Sequence, residues 1–282
     1  MGAETRSKIN RLSTDLPDGL FVDAAWLERR GYYATLRKKY VQLGWLMQPA
    51  RGVYRRPLGP MTWQQVVVSL QVLICLPIVV GGRSALELQG FSHYLAQKQR
   101  EIHLYSQVPL PAWVKQLKLN VTFVFHKATR LFSEDHAAPV VPNLTWDSES
   151  LPISAGNKHQ GSFITQPWGQ WNWPLTMSTP ERAILELLDE LPDKESFHQV
   201  DMLMGGLSNL SPRRTEKLLI DCHNVKVKRL FFFFADRHHH AWLAKIDKQA
   251  LNLGKGKRSL VPGGKFNPVY QITVPEDLNA IQ

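Results

Sequence analysis

The 282-residue chain carries 34 Lys and Arg against 24 Asp and Glu, a net charge of +10. That sign favours acidic partners, nucleic acid before anionic membrane, and 44% hydrophobic residues are enough for an ordinary packed core. Two cysteines, Cys75 and Cys222, exclude a disulfide framework. The longest apolar run, residues 66–80, contains Gln71 and Pro77 and falls short of the roughly 18 residues a membrane-spanning helix needs. The N-terminus shows no apolar signal segment, so a cytoplasmic protein is expected.

In chain order, residues 7–14 read as a short first helix, ended by Leu16 and Pro17. Residues 21–30 have helical content, with Asp23 as N-cap and Gly31 as the stop. A further helix fits Ala34 to Leu43, where Leu36, Tyr40 and Leu43 recur at i, i+4 and i+7. Gly44 ends it. WLMQ and GVYRR follow as two short strands joined by a turn from Pro49 to Gly52. Helix, helix, turn, helix and hairpin together predict a winged helix-turn-helix.

After Pro57 and Pro60, residues 62–75 read as a helix capped by Thr62, and residues 84–90 as a short helix stopped by Gly90. EIHLYS and LNVTFVFH read as strands. Residues 137–178 show little periodicity beyond short strands at SFIT and WPLTM. STPERAILELLDELP then predicts a strong helix. Pro180 sits in its first turn, Glu181 lies near the positive end, and Ile184, Leu187, Leu188 and Leu191 face inward. Residues 195–206 and 211–222 read as two more helices. VKRLFFFFADRH is either a strand or a buried helix, and YQITV is a final strand. The expected fold class is α+β: a winged helix-turn-helix over residues 1–60 and a larger mixed α/β C-terminal domain over 61–282, with a possible sub-boundary near 178.

The stretch Gly31–Arg56 contains six Lys and Arg and no acid. A DNA-reading helix docks one face on its neighbour and turns donors and cations toward the groove. Here Leu36, Tyr40 and Leu43 form the expected inner set, and Thr35, Arg37, Lys38, Lys39 and Gln42 the outer one. With Tyr33 at the helix start, and Arg51, Tyr54, Arg55 and Arg56 in the wing, these are the candidate DNA-binding residues.

Competing chemistry is weaker. Asp236 and His238–His240, with Cys222 and His223 upstream, are metal-ligand types, but adjacent histidines diverge and no HExxH or CxxC occurs. VGGRS lacks phosphate-loop spacing, and nothing in the sequence brings Ser84, Glu87 and His93 together as a triad. The Gly-rich basic segment 253–265 reads first as a solvated hairpin, with contact to nucleic acid or to an acidic partner as the alternatives. Residues 134–202 carry a net charge of −8, which suits docking of a basic partner. A metal-dependent nucleic-acid enzyme and a pure interaction module that docks a basic partner are the alternative readings.

GWLMQPARGVYRRP, LPIVVGGRSALELQGFSHYL, STPERAILELLDELP, VKVKRLFFFFADRHHHAWL and GKRSLVPGGKFNPVYQITVP, in that order, resemble the AbiEi antitoxins of type IV toxin–antitoxin systems. The resemblance covers nearly the whole chain and is thinnest over residues 1–15 and 134–175. It implies an N-terminal winged-helix domain that represses its own operon at promoter DNA with inverted repeats. It implies a C-terminal domain carrying the antitoxin activity, and a cognate nucleotidyltransferase-like toxin countered without a required stable complex. It offers no catalytic residue to carry over and adds nothing to the metal reading; no cofactor, metal or membrane partner is expected. The helix and wing correspond to Tyr33–Leu43 and Arg51–Arg56.

Overall fold

The structure, a computed structural model, describes residues 2–91, 101–133 and 158–278. Helix α1 (Gly2–Asp15) extends beyond the expected 7–14, and its Leu12, with Leu16 just after it, is buried. Strand β1 (Phe21–Asp23) occupies the start of the segment expected to be wholly helical. Phe21 and Val22 are both fully buried and pair antiparallel with Arg55 and Tyr54. Helix α2 (Ala24–Arg29) begins at the predicted cap, where the Asp23 carboxylate accepts the Trp26 N–H at 2.7 Å.

Gly31, at φ +83°, makes the left-handed turn into α3 (Ala34–Gln42). Strands β2 (Met47–Ala50) and β3 (Val53–Arg55) form the wing. Gly52, at φ +78°, turns it and accepts the Ala24 N–H at 2.9 Å. The small sheet runs β1-β3-β2, so the wing is anchored to the helix-turn-helix by a strand the sequence reading did not find.

Helix α4 (Trp63–Val68) opens with a capping box. The Thr62 hydroxyl accepts the Gln65 N–H at 3.4 Å, and the Gln65 side-chain Oε1 accepts the Thr62 N–H at 3.0 Å. The helix continues as a π-helical turn, Ser69–Leu73, which touches both parts of the molecule. Ser69 Oγ accepts the Phe21 N–H of β1 at 2.8 Å. The Gln71 amide donates to the Ile78 and Thr176 carbonyls at 2.9 and 2.8 Å and accepts the Thr176 N–H at 3.0 Å.

Those last partners belong to a six-stranded mixed sheet of order β6-β5-β4-β9-β8-β7. Its strands are β4 (Ile78–Val80), β5 (Glu101–Ser106), β6 (Thr122–Lys127), β7 (Lys158–Gln160), β8 (Phe163–Trp168) and β9 (Trp173–Ser178). β4 and β9 run parallel and share a single register pair, Val80 with Met177. Gln71 therefore bridges the two strands where the backbone ladder is missing. Helix α5 (Gly82–Leu88) follows β4. Helix α6 (Pro180–Asp189) follows β9 and is buried along its length after Pro180, with Ile184, Leu187, Leu188 and Leu191 inward as predicted.

Helices α7 (Phe197–Gly206), α8 (Pro212–Asp221) and α9 (Val225–Arg237) pack around α6. The VKRLFFFF segment is the helical alternative: Leu230 to Ala235 are buried on every side of α9, as an all-round apolar helix must be. A hairpin of β10 (Lys265–Asn267) and β11 (Ile272–Val274) completes the domain. One continuous core runs from Leu12 to Val274. The fold is α+β, an N-terminal winged helix followed by a larger mixed domain. Among the described residues no helix is long and apolar enough to cross a membrane.

Candidate nucleic-acid interface

Helix α3 lies between α2 and the wing, and its buried stripe is Arg37 and Tyr40, with Leu36 and Val41 half-buried. This corrects the expected face. Arg37 is 8% exposed. Its guanidinium donates to the Tyr32 carbonyl at 2.7 Å and the Ala24 carbonyl at 3.5 Å and lies 4.0 Å from Glu28. It holds α3 against the turn. Leu43 is 57% exposed instead of inward, because Gly44 ends the helix and Leu46 takes the buried position.

Thr35, Lys38, Lys39 and Gln42 are exposed on the opposite face, and Tyr33 at the helix start is exposed too. In the wing, Arg51 stands exposed beside Gly52 at the turn. The other wing candidates point inward. Arg55 is fully buried, donating to the carbonyls of Leu58, Gly59 and Arg56, and its guanidinium stacks over Phe21 at 5.4 Å. Burial lowers its pKa. Arg56 pairs with Asp18 at 2.9 Å and donates to the Ser13 and Leu16 carbonyls, both at 3.2 Å. Tyr54 is buried.

Each of these cations stabilises the domain by donating to backbone carbonyls of neighbouring segments. The outward set that remains is Tyr33, Thr35, Lys38, Lys39, Gln42 and Arg51. The sequence reading missed Trp45, Met47 and Gln48, which are exposed between the end of α3 and the wing turn. Trp45 lies just before β2 and Met47 and Gln48 within it, and their exposure is a property of the folded wing that the sequence pattern does not show.

The large domain has polar clusters of a different kind. The acidic segment is largely internal among the described residues. Glu181 pairs with Arg214 at 3.1 Å, Glu186 with Arg182 at 2.7 Å, Asp189 with Arg130 at 3.2 Å, and Glu195 forms a bidentate pair with Arg83. All four carboxylates are buried, so this part of residues 134–202 is an internal network and not the docking belt its charge suggested. His103 Nδ1 and His126 Nε2 meet at 3.0 Å, and His126 Nδ1 faces Glu190 at 3.3 Å.

The proposed metal ligands separate into pairs. His238 and Arg237 both bond Asp201, His240 bonds the Met204 carbonyl, Asp236 pairs with Lys248 and Tyr270, and Cys222 is buried against Asn224. Among the described residues no group of three or more His, Cys, Asp or Glu converges as a metal site would require. Ser84 accepts the His103 N–H at 3.0 Å, and His93 lies outside the described residues.

Two family models cover the chain. Residues 5–97 match the N-terminal domain of the AbiEi antitoxin transcriptional regulators. Residues 99–275 match the AbiEi antitoxin transcriptional regulators of type IV toxin–antitoxin systems. A comparison with curated proteins gives no match. Among solved structures, the crystal structure of the RV2827C protein from Mycobacterium tuberculosis is similar in fold: TM-score 0.53, 17% identity, covering 94% of this chain and 89% of that one. The chain belongs to the AbiEi antitoxin family, transcriptional regulators of type IV toxin–antitoxin systems.

Proposed function

We propose that the chain binds duplex DNA at inverted repeats in its own promoter, through the outer face of α3 and the wing turn, and so represses its operon. The observation that carries this is a pinned helix with a free basic face: Arg37 fixes α3 from behind, while Thr35, Lys38, Lys39 and Gln42 stand exposed beside Arg51. Gln42 and Thr35 have the donors and acceptors for base edges; Lys38, Lys39 and Arg51 suit phosphates. Arg37, Arg55 and Arg56 act by positioning the helix and wing.

The larger domain carries the antitoxin activity, directed against a nucleotidyltransferase-like toxin without a required stable complex. Phe21 and Leu20 of the winged helix share a core with α4 and the π turn, so removing residues 1–60 would expose apolar surface. The cleaner test keeps the chain whole. The Lys38→Ala/Lys39→Ala variant should lose the gel shift on promoter DNA and derepress a promoter reporter, yet still rescue cells expressing the toxin. A normal gel shift would overturn the DNA-binding face, and loss of rescue by a folded variant would overturn the division of labour.

A further inference from the structure

Between Lys248 and Pro275 the chain has no Asp or Glu. Four cations in this segment, Lys255, Lys257, Arg258 and Lys265, are exposed, and no carboxylate among the described residues pairs with any of them within 4 Å. A solvated hairpin with such a composition would have little reason to hold one shape, because like charges repel and the glycines add chain entropy. This loop is held.

The buried Arg229 donates to the carbonyls of Leu253 and Gly256, both at 2.7 Å, and of Gln271 at 3.3 Å. Arg258 exchanges main-chain bonds with its neighbours: its N–H reaches the Gln271 carbonyl at 2.9 Å, and its carbonyl accepts the Thr273 N–H at 3.1 Å. Thr273 Oγ1 accepts the N–H groups of Leu260 at 2.7 Å and Val261 at 3.0 Å. Gly264 lies so close to the Val274 carbonyl that a Cβ would stand 2.5 Å from it.

One of these cations lies over an aromatic ring. Phe266, in β10, is 38% exposed, and Lys257 Nζ sits 4.9 Å from its centroid. Val269, near the same turn, is 73% exposed.

We infer that this braced loop is a second polyanion site, separate from α3, that takes a single-stranded nucleic acid: phosphates on Lys255, Lys257, Arg258 and Lys265, and a base stacked on Phe266. A partly exposed ring in a basic, acid-free loop is the kind of arrangement by which single strands are held, since every base offers a face and a flexible backbone follows the charge. A duplex keeps its bases stacked and leaves the ring unused. An acidic protein surface would satisfy the lysines but give no reason for the exposed ring beside them. The inference does not rest on the reading of α3.

The test uses the full chain and fluorescein-labelled 12-nucleotide oligo(U) and oligo(dT), followed by anisotropy at 50–200 mM salt. Binding of either strand is expected, with log K falling against log salt at a slope near −3, about −0.7 for each of the four contacts. Lys255→Ala/Lys257→Ala/Lys265→Ala should weaken it by at least about tenfold, and Phe266→Leu by roughly tenfold, the size of one lost stack. Promoter duplex binding should be unchanged in both variants, and thermal midpoints should match the parent. Absence of single-strand binding at 50 mM salt, equal binding by the loop variant, or loss of binding in the Lys38→Ala/Lys39→Ala variant instead would overturn it. Displacement by poly-glutamate as effective as that by unlabelled oligo(dT) would assign the loop to an acidic protein and overturn it too.

Discussion

Replacing Lys38 and Lys39 by alanine should change the salt dependence of promoter binding more informatively than its strength at one salt concentration. Lys38, Lys39 and Arg51 are the exposed cations of α3 and the wing turn. Two protomers on an inverted repeat then place about six cations on phosphates, and at about −0.9 per contact the slope of log K against log salt is near −5.4. Between 50 and 200 mM salt the affinity should fall by about 2,000-fold. The double variant keeps the two copies of Arg51, so its slope should be near −1.8 and its loss over the same range only about tenfold. Anisotropy titrations of a labelled promoter duplex at four salt concentrations measure both slopes. A parent slope shallower than about −2, or equal slopes for parent and variant, would refute the assignment of these lysines to phosphates.

Arg37→Ala should act on stability, because it leaves the buried Tyr32 carbonyl without its 2.7 Å partner. A urea titration should show a loss of about 1.5–3 kcal/mol, whereas unchanged stability with lost DNA affinity would return Arg37 to the interface. Gln71→Ala should cost about 3 kcal/mol by stranding the Thr176 N–H and the carbonyls of Ile78 and Thr176 between β4 and β9; a loss under about 1 kcal/mol would show that the ladder gap closes without it.

Stability should also fall on acidification. Burial first, and the neighbouring His126 next, hold His103 down at about 4. A base depressed in the folded state binds its proton more readily when unfolded, so stability present above about pH 6.5 is lost as the pH falls from there toward 4. Burial by itself would raise Glu190, but hydrogen bonds from His126 and Lys194 outweigh it and hold the carboxyl at about 2, which adds a loss in the same direction below about pH 4.5. The denaturation midpoint should drop between pH 7.5 and 5, and less so in His103→Asn. A parent midpoint that is flat over that range would contradict this reading.

The winged helix was legible because its signals are local. Asp23, Gly31, Gly44 and Gly52 mark a cap, two helix ends and a turn, and each does so in the structure. The strands that escaped notice are those whose identity is set by partners elsewhere. Phe21 and Val22 run into a good N-cap and read as helix, but Val53–Arg55 makes them a strand. Ile78–Val80 lies inside an apolar run that has no period of its own, and β5 and β9 decide its form. The Phe231–Phe234 run was undecidable by periodicity because burial on all sides erases the pattern that distinguishes helix from strand.

The candidate interface stands out in the sequence as a stretch, but the direction of its side chains does not. A rule that sends charge outward misassigns Arg37 and Arg55, whose guanidinium groups satisfy backbone carbonyls inside the domain. The acidic segment misleads in the same way: Glu181, Asp189 and Glu195 find their cations far along the chain, and Glu186 finds Arg182 one turn away on the same buried helix, which composition does not reveal.

A footprint of the full chain on duplex DNA spanning its own promoter tests the central claim most directly. The account predicts two protected half-sites in inverted orientation, about one helical turn or a multiple of it apart, with protection lost in Lys38→Ala/Lys39→Ala. No protection at concentrations where the folded chain is soluble, or the same protection with the double variant, would contradict it.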